Sequence, residues 1–218
     1  MAIGAEHDYL TTIKRLLGEM APQAPLEESL NSLLRIMARE VGYERAFVAI
    51  RDPESETLKL SLSYSPDKAD PVTYEPGEGV IGQVFTTGKP VIVARMADNP
   101  EFLNRAFGRS EEDLARLSFI CVPVVNQGAD KADVVGVLSV DAPLLPKEEL
   151  EGHRRFLEVT AGLIANQVAR LQEEMALQTH LMSQTMLTSV NDAPPPKDFV
   201  AASKSMRMVL RQGRQVAP

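Results

Sequence analysis

The chain has 218 residues, 44% hydrophobic and 24% charged, with a net charge of −7 and a pI near 5.1, a balance that excludes wholesale disorder and allows one ordinary domain with appendages. Apolar runs such as Phe119–Val125 are far too short to cross a bilayer, and the opening MAIGAEHDYL lacks the basic-then-apolar order of a secretory leader. A single cysteine, Cys121, rules out an intramolecular disulfide and a Cys-rich zinc site, so a reducing cytoplasm is the expected compartment. The charge is uneven: residues 190–218 carry Lys197, Lys204, Arg207, Arg211 and Arg214 against Asp192 and Asp198, and the acidity lies in the preceding residues. A change of sign at a Pro-rich point marks a junction between two pieces.

Leu10, Ile13, Leu16, Leu17 and Met20 fall at helical spacing, and after Ala21–Pro25 the spacing resumes through Leu26, Leu30, Leu33, Leu34 and Met37 until Gly42. Two strands follow. Arg45–Arg51 is short and apolar, whereas Thr57–Tyr64 alternates strictly, which predicts Leu58, Leu60, Leu62 and Tyr64 on one face. Gly77 and Gly79 predict a turn into a short helix over Val80–Thr86, ended by Gly88, with a brief strand at Pro90–Ala94. Arg95–Glu112 is polar with little periodicity, a length of loop that is usually functional. Ser118–Val125 and Val134–Val140 predict two central strands.

From Pro146 to about Val190 the pattern is one long helix. Leu157, Ala161, Ile164, Val168, Leu171, Met175, Gln178 and Met182 form a heptad seam with one polar position. Packing on the domain's own sheet accounts equally well for Leu157–Val168. Beyond Leu171 a partner helix is the better account, because the helix outruns a domain's width at about 1.5 Å per residue. Leu157, Ile164, Val168, Leu171 and Met175 are therefore the candidate dimer and signalling positions. Residues 191–198, with three consecutive prolines, predict an extended linker. Hairpin-linked strands with helices from both ends of the chain give an α+β fold: an antiparallel sheet flanked by helices.

No catalytic set can be assembled. His7, His153 and His180 are far apart and none pairs with Cys121 at a catalytic spacing, so no catalytic and no metal-ligating residues are expected. Gly88-Lys89-Pro90 lacks the upstream glycine and the helix start of a phosphate loop. Cys121, between Phe119 and Pro123 on one strand face, reads either as an inert core thiol or as a pocket-lining residue. Arg95, Arg105, Arg109 and Arg116 precede the strand at Ser118. Each either pairs with Glu101, Glu111, Glu112 or Asp113 on the surface, or joins in holding a small dianion, for which the guanidinium fork is suited.

The stretch Pro76-Gly-Glu-Gly-Val-Ile-Gly-Gln-Val-Phe-Thr-Thr-Gly-Lys-Pro-Val, within this element order, resembles a GAF domain over roughly residues 8–175. Asn99-Pro-Glu-Phe-Leu-Asn-Arg105, Ser118-Phe-Ile-Cys-Val-Pro-Val124 and Gly136-Val-Leu-Ser-Val-Asp141 narrow the resemblance to the NifA family. These activators of nitrogen-fixation genes work with sigma-54 RNA polymerase. Phe199–Pro218 is similar to the opening of that family's AAA+ domain. The resemblance implies a GAF sensory domain over 1–175, a signalling helix over 157–190, the linker, and the start of an AAA+ domain over 199–218. It implies control of that AAA+ domain, with neither ATP hydrolysis nor DNA binding by this stretch of chain. It also implies 2-oxoglutarate as ligand, as for some members, at Arg95, Asn104, Arg105, Arg109, Arg116, Ser118 and Cys121. The alternative implied function is a docking module controlled by a NifL-type repressor, with no small molecule.

Overall fold

In the computed structural model the described residues are 8–19, 25–52, 55–66, 69–126 and 133–192, with side chains described up to residue 170 except at Leu26. The residues of the expected linker from 193 onward, the stretch 199–218, and the seam side chains from Leu171 onward lie outside these. The chain divides into two compact units, Met1–Arg170 and Leu171–Pro218. In the second unit the described backbone is helical from 171 to 192, so Asn191 and Asp192 belong to the helix.

The first unit runs α1 (Tyr9–Glu19), α2 (Leu26–Ile36, continued by a π turn Met37–Val41), β1 (Arg45–Arg51), β2 (Leu58–Tyr64) and β3 (Thr73–Tyr74). It continues through α3 (Gly79–Thr87), β4 (Val91–Val93), α4 (Glu111–Arg116), β5 (Leu117–Asn126), β6 (Asp133–Pro143) and the start of α5 (Lys147–Asp192). The six strands make one sheet in the order β3-β2-β1-β6-β5-β4, antiparallel at every pairing. The centre of the sheet joins β1 to β6, two strands distant in sequence, and this closes the chain on itself.

Both faces of the sheet are covered, so β5 and β6 are apolar on both sides. On one face lie Leu16 of α1, Leu30, Leu33 and Leu34 of α2, and Leu150, Phe156, Leu157, Ile164 and Val168 of α5. They pack on Val48, Ile120, Val122, Leu138 and Val140. Tyr9 of α1 stacks on Phe156 at 5.0 Å, which seats the first helix along the last. On the other face, Val80, Ile81 and Val84 of α3 join Met96, Ala106 and Phe107, packing on Phe47, Ala49, Phe119, Cys121 and Val137.

The strict alternation expected of β2 is broken. Val48 pairs with Leu62 while Ala49 pairs with Leu60, leaving Ser61 as an extra residue. Such a bulge turns the strand over between its halves. Leu58 and Leu60 accordingly face the α3 side, and Leu62 and Tyr64 the helical side. Two elements escaped the periodicity: β3, at two residues, and α4, whose six residues begin behind Ser110, with Ser110 Oγ accepting from the Asp113 amide at 3.1 Å. α4 starts inside the stretch expected to be loop, as does a 3-10 turn at Met96–Asp98.

Candidate functional site

Register places the site. On the α3 face, one row across β1, β6 and β5 is Arg45, Asp141, Phe119, and the next is Phe47, Ser139, Cys121. An arginine, an aspartate and a serine thus sit among aromatic rings on strands that are otherwise apolar. Such groups persist in a core only when paired.

The partners come from residues 99–110, which cross this face as a lid. Arg109 reaches down and donates from Nε and Nη2 to the two Asp141 carboxylate oxygens, at 2.6 and 2.7 Å. Its side chain is 2% exposed and that of Asp141 1%. Above the fork the guanidinium lies 5.2, 5.0 and 6.0 Å from the ring centres of Phe102, Phe107 and Phe119, so one cation meets a bidentate carboxylate and three π faces. Asn104 shapes the loop that makes this reach possible. Its Oδ1 accepts from the Arg109 amide at 2.8 Å and its Nδ2 donates to the Arg109 carbonyl at 2.7 Å. Burial pushes the Asp141 carboxyl up, against the opposing pull of Arg109 and Arg45.

Beside the fork, sharing Phe102 and Phe119 as walls, is a small cavity of about 10 Å³ lined also by Tyr74, Glu78, Gly79, Val80, Ile81 and Leu103. Ligand pockets commonly span about 300–1,000 Å³, so this one is closed down. Gly79, at φ +58°, lets the backbone turn into α3 there. The lid is hung from α3 by the Val80 amide donating to the Glu101 carbonyl at 3.1 Å. Arg105 spans the mouth: it is ion-paired with Glu78 and sits 5.2 Å over the Tyr74 ring. The Glu75 amide, and then Arg105, hold the Glu78 carboxyl below its ordinary value. Tyr74, by contrast, is pushed up to about 12 by burial, so it is a neutral phenol at any physiological pH.

The expected site residues are therefore distributed as follows. Asn104, Arg105 and Arg109 share the lid over the void. Arg95 points along its own turn to Asp98 at 3.6 Å, and Arg116 pairs with Glu44 and Asp113 at the end of the sheet. Ser118 Oγ donates to the Ala94 carbonyl at 2.7 Å and ties β5 to the end of β4. Cys121 is fully buried beneath the lid, its thiol pushed up to about 12 by burial with Ser139 Oγ at 3.2 Å from the sulfur. A thiol in that state is a small hydrophobe, not a nucleophile. Arg45, Glu78 and Asp141 were not among the expected site residues. Arg45 donates to Asp113 at 3.0 Å and lies 3.5 Å from Asp141. The one sequence signal for this pair was a charge at the end of each of two apolar strands.

Among the described residues no group of three His, Cys, Asp or Glu side chains is placed to hold a metal ion, and no helix is long and apolar enough to cross a membrane. The GAF domain family matches residues 25–168. The chain belongs to that family. The GAF domain is similar in sequence to the Nif-specific regulatory protein of Azospirillum brasilense, 31% identical over 96% of this chain and 34% of that protein. It is also 31% identical to the nitrogen fixation protein VnfA of Azotobacter vinelandii over 92% of this chain and 40% of that one. The chain thus spans between about a third and two fifths of these relatives. Among solved structures, the nlh2 GAF domain of A. aeolicus in an inactive state superposes with a TM-score of 0.65 at 25% identity, covering 74% of this chain and 95% of that one. The free methionine-R-sulfoxide reductase of Neisseria meningitidis shares the fold at 0.63 and 19% identity, over 76% and 91% of the two chains.

Proposed function

We propose that this GAF domain is the ligand-responsive regulatory part of a sigma-54-dependent, NifA-like activator of nitrogen-fixation genes, acting on an AAA+ domain that continues the chain. It has no catalysis of its own and works in the cytoplasm. The observation that carries the sensory reading is the lid: residues 99–110 close over a contracted void and send one buried arginine, Arg109, down to Asp141 on the sheet. A ligand that binds an open position of this segment better than the closed one shifts the population toward it. The arginine forks of the lid favour a carboxylate ligand, and 2-oxoglutarate fits both that chemistry and the family resemblance. In titration calorimetry, 2-oxoglutarate is expected to bind the 218-residue chain saturably, and Arg105→Ala to weaken binding. Silence across carboxylates and nucleotides would sink this reading in favour of a docking module controlled by a NifL-type protein.

The signal passes, in this proposal, through a homodimer. Leu157, Ile164 and Val168 are consumed by the domain's own core, so pairing falls to the outer helix faces and to the seam positions Leu171 and Met175. Apolar side chains on these outer faces stand exposed: Leu10 76% and Leu17 53% on α1, Val159 49% on α5. Sedimentation is expected to show dimers, and Leu171→Glu with Met175→Glu to give folded monomers. Wild-type monomers at high micromolar concentration would remove the basis for signalling through helices.

A further inference from the structure

The Arg109 fork is already filled, and by a carboxylate of the protein itself. We infer that a ligand carboxylate enters this domain by exchange, taking the place of Asp141 on the Arg109 guanidinium, and that the displaced Asp141 is neutralised by a proton. The inference rests on the carboxylate-ligand reading above and names its entry step.

Three observations lead to it. First, Arg109 is the lid arginine that is both buried and aligned for two parallel bonds, at 2.6 and 2.7 Å, whereas Arg105 is at the rim on Glu78 and Arg116 is at the sheet end. Second, the void next to the fork shares Phe102 and Phe119 with it, so two rings that wall the void also stand against the Arg109 guanidinium. Third, the Nε–Nη2 edge of Arg109 is committed to Asp141, so a ligand carboxylate that takes two parallel bonds on that same edge must displace it.

Exchange leaves Asp141 at the floor of the site. The groups that face it are few. Arg45 of β1 is 3.5 Å away and shared with Asp113 of α4, and Arg109 of the lid would have turned to the ligand. Phe119 of β5 offers no charge; Tyr74 of β3 and Cys121 of β5, on the same sheet face, are both held neutral by burial. Keeping two further negative charges and Asp141 ionised against these cations is costly in a buried site, and protonating Asp141 removes one of the three. Binding linked to proton uptake is tighter at lower pH.

The test is calorimetry of the 218-residue chain with 2-oxoglutarate at pH 7, in phosphate and in Tris, whose different ionisation heats count protons. The expected result is uptake of about one proton per ligand. Asp141→Asn, which frees the fork and mimics the neutral acid, should bind on the order of tenfold more tightly with no proton uptake. Arg109→Lys, which keeps the charge but loses the fork, should bind on the order of tenfold more weakly. Wild-type binding without proton uptake overturns the exchange and leaves the ligand reading standing, as does Asp141→Asn binding no more tightly than wild type. If Asp141→Asn fails to fold, the wild-type proton count decides alone. No binding by any of the three proteins overturns the ligand reading itself.

Discussion

Replacing Arg109 by alanine is expected to cost the domain about 3–5 kcal/mol, the usual penalty for removing one partner of a buried ion pair. With a domain of this size that lowers the melting temperature by about 10 °C. The loss is mostly the stranding of Asp141, whose carboxylate is 1% exposed and would retain only Arg45 at 3.5 Å. The same reasoning fixes the pH dependence. Burial already raises the Asp141 carboxyl in the wild type, and without the fork it rises further, above its value in the unfolded chain. A group raised in this way penalises the folded state above the raised value and ceases to do so below the ordinary aspartate range near 4. The gap between variant and wild type is therefore full at pH 8 and narrows as pH falls toward 5, which thermal melts at the two pH values will show. Adding Asp141→Asn to Arg109→Ala should recover stability at pH 8. A double variant no better than the single would mean that the rings and not the charge hold the lid.

Gly82→Ala should be nearly as damaging, although alanine is ordinarily favoured over glycine inside a helix by about 1 kcal/mol. A Cβ on Gly82 would stand 2.4 Å from the Glu75 carbonyl oxygen and 3.0 Å from the Gly77 backbone. These are main-chain atoms, so no side chain can swing aside, and α3 would have to withdraw from the turn that also gives the Gly77 amide to the Gly82 carbonyl at 3.0 Å. An overpacking cost near the upper end of the common range, about 3 kcal/mol, is expected in urea melts. Gly162→Ala is the comparison. It lies within α5 with nothing within 4 Å of the added methyl, and should stabilise by about 0.5–1 kcal/mol. Equal effects at the two positions would show that helix propensity and not close approach governs Gly82.

What could be read in advance divides along physical lines. Helices and strands rest on periodicity along the chain, so α2, α3, β1, β5 and the long α5 were legible within a residue or two, while β6 runs three residues past its expected end. β2 was legible as a strand but not in its facing, because the bulge at Ser61 is set by pairing with β1 and leaves no mark in the alternation. The stretch over the α3 face was legible as a long polar loop, but the contacts it makes were not. Four arginines in one loop look alike in sequence; in space Arg109 is the one among them that is fully buried, because Asn104 bends the loop to deliver it. Its partner Asp141 is 32 residues away, at a distance no spacing rule reaches. Arg45 read as a strand boundary for the same reason.

The two margins of the sheet have a consequence for how this protein behaves at high concentration. The outermost strands are β3, two residues long, and β4, three residues long, each entered shortly after a proline, Pro71 and Pro90. Proline supplies no amide hydrogen for a neighbouring strand, and two or three residues cannot template a longer one. The long, strongly apolar strands β5 and β6, which would be hazardous if bare, are both interior. Fibre-like growth by strand addition is thereby denied a starting edge at both of these margins.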